Sequence, residues 1–241
     1  SRRRGDSINA PPAVLVTMQT IEGLLGAAEH SILRLASFFC PEPIPVALFE
    51  AQAEKISEAA WLLPREMRAE LKFGGRKGKL DVRDSLSELA KWSLIILTDD
   101  DFTVHRVAQE CIISSIKKEK HKAWIQLALH LMNGYICNVP RPDDARGWPL
   151  WNSIESHVRV LVSRADDFDI SEPTNLLMNE LGLYLKSRGR FSEAELLYLW
   201  ALEVDEKTFG PEHPNVAVRL NNLAQLLEST NRFEQAEFLM Q

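Results

Sequence analysis

The feature that most constrains this chain is that its last quarter repeats itself. Residues 179–195 read NELGLYLKSRGRFSEAE, and residues 221–237 read NNLAQLLESTNRFEQAE. Leu181 with Leu223, Leu185 with Leu227, Phe191 with Phe233 and Ala194 with Ala236 all pair at one offset of 42 residues. A fixed period of roughly 20–50 residues marks units that cover their apolar faces only by stacking on neighbours. Within each unit, Gly182 and Ala224, then Ala194 and Ala236, place small side chains where two helices must approach, and Ala201 lies two turns further on. Leu181, Leu185, Phe191 and Tyr198 fill the gaps between those helices. Gly189 and Asn231 fall in the turns, where a positive φ is tolerated.

The 241 residues are enough for one large or two small domains with a substantial core. Hydrophobic residues at 45% and charged residues at 26% are ordinary for a soluble globular protein, and no apolar run approaches the ~20 residues that span a bilayer. The start, SRRRGDSINAPP, is basic and polar with no apolar core behind it, so it reads as a linker (residues 1–16) rather than a signal peptide. Its lack of an initiating Met agrees with a fragment. Its RGD, Arg4 to Asp6, is too short to carry an adhesion role. Cys40, Cys111 and Cys137 are odd in number, widely spaced and set among apolar residues. They are expected to pack as small hydrophobes in a reducing, cytoplasmic compartment, with no zinc and no disulfide framework. A net charge of −6 disfavours non-specific nucleic-acid binding.

Residues 17–116 read as a compact module. Ile21, Leu24, Leu25, Ile32, Leu33, Leu35, Ala36 and Phe39 recur at helical spacing, and Pro41, Pro43 and Pro45 then break the helix. Short helices follow at residues 46–53, 56–63 and 65–71. Residues 73–79 (FGGRKGK) form a basic, Gly-rich loop that lacks the phosphate-cradling GxxxxGK[ST] spacing. Asp81 or Asp84 caps a helix over residues 85–92. Residues 93–98 (SLIILT) and 102–105 (FTVH) flank three aspartates and predict a β-hairpin. Helical spacing resumes through Val107, Cys111, Ile112 and Ile116. Residues 117–172 predict a helical linker, a degenerate helical hairpin leading into the repeats: one helix over residues 113–135, whose basic start at residues 117–122 is a solvated face, a loop at 138–144, and a helix over 148–162. Its tryptophans are expected in the core.

Helices followed by a two-stranded wing and a further helix make a winged-helix module. The run FTVHRVAQ at residues 102–109, after the helix ending AKWS at residues 90–93, resembles the winged-helix domain of STAND signalling ATPases of the NB-ARC type. Residues 33–49, with their PEPIP, resemble the same family. From residue 173 the pattern resembles tetratricopeptide repeats, and the linker TFGPEHP at residues 208–214 and the long period resemble the kinesin-light-chain variety rather than the ~34-residue common form. The resemblance implies a mainly α fold: a winged-helix module with a small β-hairpin, then helical hairpins beginning a tetratricopeptide α-solenoid over residues 173–241, with the second repeat truncated inside its last helix.

It also implies roles. His105 falls on the family's Met-His-Asp motif, whose histidine reaches the β-phosphate of bound ADP. Val104 and Arg106 differ from it. Either His105 senses nucleotide in a longer parent, or it caps the hairpin and packs beside the next helix. This chain has no Walker A stretch, so ADP or ATP is expected only with a nucleotide-binding domain outside it, and no cofactor is expected in the chain itself. His157 resembles a histidine in the matching helix of the family and is expected to be a packed or boundary residue. Asn179, Leu183 and Lys186, then Asn221, Gln225 and Glu228, would face the concave groove and meet a protein or peptide partner. Their amides could instead bond between helices or to water. The implied function is a non-catalytic sensor fragment, with possible self-association through the truncated repeat. Two rivals are a winged-helix DNA-binding regulator and a stand-alone repeat adaptor. Against the first stand Asp84, Glu88 and the aspartates of the wing tip, which repel phosphate. No Ser/His/Asp, paired-carboxylate or metal constellation argues for an enzyme.

Overall fold

The computed structural model describes residues 20–51 and 81–239. The expected linker at residues 1–16, the helices at 56–63 and 65–71 and the loop at 73–79 lie outside the described residues. The chain divides into two compact units, Ser1–Leu131 and Met132–Gln241. The division falls inside a helix, beyond the junction at residue 117 read from the sequence.

The first unit is built from α1 (Ala27–Ala36), β1 (Ile44–Pro45), α2 (Val46–Glu50), α3 (Val82–Lys91), β2 (Ile95–Leu97), β3 (Asp101–Val104), α4 (Arg106–Ser115) and the start of α5 (Lys118–Ile136). Of the two candidate caps for α3, Asp81 takes the role: its carboxylate accepts the Asp84 backbone N–H at 3.0 Å. Asp84 sits in the first turn, where the helix dipole favours a negative charge. The hairpin forms in register, Ile95 opposite Val104 and Leu97 opposite Phe102. Thr98 closes its turn by donating its N–H to the Asp101 carbonyl at 2.8 Å and accepting the Asp101 N–H on its hydroxyl at 3.0 Å. Alternation along β3 buries Phe102 and Val104. Phe102 meets Phe49 edge-on at 5.3 Å, and Phe49 touches Phe39 at 6.0 Å, so hairpin and helices share one aromatic core.

Two expectations need correction here. The Pro-rich segment does more than break a helix: Ile44 and Pro45 pair with Phe102 and Asp101, giving a three-stranded antiparallel sheet of order β1-β3-β2. Pro45 lies on an edge strand, where its missing N–H is tolerated. The single helix expected over residues 113–135 is also two helices. Ile116 is extended (φ −83°, ψ 129°), and the Ser114 and Ser115 hydroxyls donate back to the carbonyls of Cys111 and Ile112. His121 Nε2 lies 3.1 and 3.0 Å from the carbonyls of Ile113 and Ile116, so this residue of the supposed solvated face ties down the end of α4.

The second unit holds α6 (Trp148–Asp166), α7 (Thr174–Ser187), α8 (Phe191–Phe209), α9 (Pro214–Ser229) and α10 (Phe233–Leu239). Successive helices pack on one another from α6 to α10, as a stack of hairpins does. A Cβ on Gly182 would stand 2.4 Å from the Tyr198 ring, so this close approach requires glycine. Gly189 (φ 74°) and Asn231 (φ 59°) make the equivalent turns at the ends of α7 and α9. Ala194, Ala201, Ala224 and Ala236 are all buried, as their spacing predicts. The 42-residue period is long because α8 runs for 19 residues. Gly210 then ends it at φ 87° and His213 caps α9, its Nδ1 accepting the Asn215 N–H at 3.2 Å before Pro214 in the first turn.

The tryptophans behave as large core side chains where they can. Trp124 is buried in the first unit and Trp151 in the second, stacked on Tyr184 at 5.6 Å. Trp148 is half-buried and holds the Arg188 guanidinium 4.4 Å above its ring. Cys111 is buried and Cys40 half-buried, but Cys137 is exposed just past the end of α5, so it does not pack as a core hydrophobe.

Candidate partner-binding site

Residues three and four apart share a helix face, so Asn179, Leu183 and Lys186 form one stripe on α7, and Asn221, Gln225 and Glu228 form its counterpart on α9. Asn221, Gln225 and Glu228 are exposed, and Leu183 and Lys186 are half-buried. Asn179 is buried and both ends of its amide are engaged. Its Nδ2 donates to Glu180 Oε1 at 3.0 Å, and its Oδ1 accepts from Asn222 Nδ2 at 2.6 Å. Asn222, rather than Asn221, therefore links the two helices.

The electrostatics of this face are mixed. Burial pushes the Lys186 ammonium below its ordinary pKa, and Glu228 and Asp143 pull it back up. Burial pushes the Glu180 carboxyl above its ordinary value, against the opposing effects of the Asn179 hydrogen bond, Arg141 and Arg219. The Tyr198 phenol is raised by burial and by Glu180 and Asp143. The groups this face leaves available are the Lys186 ammonium, the Asn221 and Gln225 amides and the Glu228 carboxylate, a mixture of donors and acceptors that suits a polypeptide backbone offering both.

One turn before Asn179 on α7, Asn175 belongs to a buried polar cluster that spans three helices. Asp205 on α8 is fully buried. One of its oxygens accepts from Arg219 Nε on α9 at 2.9 Å and the other accepts from Asn175 Nδ2 on α7. The signal available in the sequence was only that Asp205 and Arg219 occupy positions that helical spacing assigns to the interior.

A second recurrent device is legible once the geometry is known. Arg232 pairs with Glu195 on α8 at 2.6 Å, and Arg190, its equivalent one period earlier, pairs with Glu155 on α6 at 2.8 Å. Each arginine opens a hairpin's second helix and reaches back to the hairpin before it. Glu193 and Arg159 complete the earlier network.

In the first unit His105 is exposed and caps α4, its Nδ1 accepting the Val107 N–H at 3.3 Å. Gln109, four residues on, is buried and donates to the Phe39 carbonyl at 3.5 Å. The FTVHRVAQ run therefore alternates core strand, cap and buried helix face. His157 is fully buried on α6.

A family model for the tetratricopeptide repeat matches residues 173–241. No match was found among curated proteins. Among the described residues, no helix is long and apolar enough to cross a membrane. The helical pairs α7–α8 and α9–α10 fall within the matched span, and tetratricopeptide repeats point to protein–protein interaction.

Proposed function

We propose that the repeats at residues 173–241 are the receptor face of a non-catalytic sensor, and that the first unit is the winged-helix coupling module of a STAND-type signalling ATPase. The observation that carries the first part is the half-buried Lys186 on α7, within electrostatic reach of Glu228 on α9, on a face that also exposes the Asn221 and Gln225 amides. Such a face takes a peptide strand carrying both signs of charge. Asn179 serves the interface between helices instead, so the contact falls to Leu183, Lys186, Asn221, Gln225 and Glu228. Titration of purified chain with a library of peptides of mixed charge tests this. Saturable binding that Lys186→Glu weakens supports it, and binding indifferent to Lys186→Glu, Gln225→Arg and Glu228→Lys overturns it.

Support for the second part is the order helix, edge strand, helices, hairpin, helix, together with His105 at the hairpin's exit. With Nδ1 accepting from Val107, the ring carries its proton on Nε2, an exposed donor suited to a phosphate oxygen. Nucleotide would be held by a domain outside this chain. The repeated arginine-to-glutamate bridge supports reading α6 as the second helix of a degenerate hairpin preceding the repeats. His105→Ala in a chain that carries a nucleotide-binding domain should lower ADP occupancy; unchanged occupancy would sink the sensing role. The rival DNA-binding reading predicts a salt-dependent shift with duplex DNA, which the acidic wing tip opposes.

A further inference from the structure

A cleft of about 220 Å³ opens between the end of α6, the start of α7 and the second half of α8. It lies on a different side of α7 from the partner stripe. Thr174 and Met178 line it, and at 100° per residue they stand roughly 120° around the helix from Asn179, Leu183 and Lys186. Met178 and Ile170 are buried at its floor, and Trp200 and Val204 form a half-buried wall. The exposed rim carries three carboxylates, Asp166, Asp169 and Glu203, against one ammonium, Lys207, which approaches Asp169 only at 3.9 Å.

Thr174 supplies the independent observation. It is 3% exposed, and its Oγ1 has no hydrogen-bond partner. A buried hydroxyl without a partner carries a desolvation cost and calls for an explanation. The fold itself does not need it: the equivalent position one period later is Val216, the same shape without the oxygen, and it is equally buried. Among the described residues no group of three or more His, Cys, Asp and Glu side chains is placed to hold a metal ion. An acidic rim beside an indole wall suits an organic cation.

We propose that this cleft is a second recognition site, taking the guanidinium of an arginine side chain from a partner polypeptide. A guanidinium is planar and weakly hydrated, so it stacks on an indole such as Trp200 while its N–H groups point outward in the ring plane. One N–H meets the free acceptor of Thr174 and others meet the rim carboxylates. Its methylene stem lies along Val204 and Ile170. Lys207 competes with the ligand for the same carboxylates and so acts as a guard on the site.

The test is an NMR titration of the 241-residue chain with N-acetylarginine amide, read at the Trp200 indole. That signal is assigned among the six tryptophans by Trp200→Phe. The expected result is saturable movement that the neutral citrulline analogue does not reproduce. Glu203→Gln should weaken binding about threefold and Lys207→Ala should tighten it by a similar factor, because both side chains are exposed and screened. Thr174→Val should weaken binding while raising thermal stability, whereas a purely structural threonine would change stability alone. Capping the arginine with glycine on both sides should preserve or improve binding. No saturation, equal response to citrulline, Glu203→Gln and Lys207→Ala acting in the same direction, or loss of binding on capping would each overturn the assignment.

Discussion

The Asp205 carboxylate accepts the Arg219 Nε–H at 2.9 Å in a site where both side chains are almost fully buried. The pair joins the second helix of one repeat to the first helix of the next, and Asn175 fixes the other carboxylate oxygen from α7. It therefore sets the stacking of three helices at once. A buried pair adds little net stability over a well-packed apolar one, but removing one partner strands the other charge. Asp205→Ala or Arg219→Ala should each cost about 3–5 kcal/mol, and the double variant Asp205→Leu/Arg219→Met much less than the sum. Urea midpoints of the single and double variants check this.

Gly182→Ala separates packing from propensity. Alanine is favoured over glycine within a helix by about 1 kcal/mol. Here the new Cβ would lie 2.4 Å from the Tyr198 ring, so the substitution should instead destabilise by about 1–3 kcal/mol. A thermal melt of Gly182→Ala beside Gly182→Ala/Tyr198→Leu decides it, since the second change relieves the clash.

At Gly189 the cost is of another kind. Nothing lies within 4 Å of a Cβ there, but φ is 74°. Gly189→Ala should lose about 1 kcal/mol through backbone strain alone, and Gly189→Asn less, because Asn231 already holds the equivalent conformation at φ 59°. Chemical denaturation of the two variants should rank them in that order.

Two carboxylates predict opposite pH dependence. The Arg190 hydrogen bond, with help from Arg159, holds Glu193 below its ordinary value of 4.5. Its contribution is present above that value and is lost as the pH falls through the lower folded one. Burial raises Glu180, so its contribution is full below 4.5 and is lost as the pH rises through the raised folded value. Glu180→Gln should therefore stabilise the chain at pH 7 by about 0.5–1 kcal/mol and change little at pH 4. Arg190→Ala should destabilise it by about 0.5–1 kcal/mol at pH 7 and less at pH 3. Denaturation at the paired pH values reads both differences.

His105→Ala removes the cap of α4 and should cost about 0.5–1 kcal/mol, with His105→Asn restoring most of it, because an asparagine oxygen can accept the same backbone N–H. Melting curves of the two variants check the capping role independently of any nucleotide.

What the sequence determined by itself was whatever depends on neighbours along the chain. The 42-residue offset placed the helix pairs, named Gly182 and the alanines as contact points, and put Gly189 and Asn231 in the turns. Local alternation predicted the hairpin, and the fold decided that Phe102 and Val104 are its buried side chains. Whatever depends on separate segments meeting was decided only by the tertiary structure. A two-residue strand at Ile44 has no periodicity to detect and exists because Phe102 offers it a partner. The break at Ile116 is held by His121 from the following helix. Asn179 faced two readings until Asn222 was seen to satisfy it. Asp205 and Arg219 lie 14 residues apart, and only the packing of α8 on α9 turns two charges at interior positions into a satisfied pair.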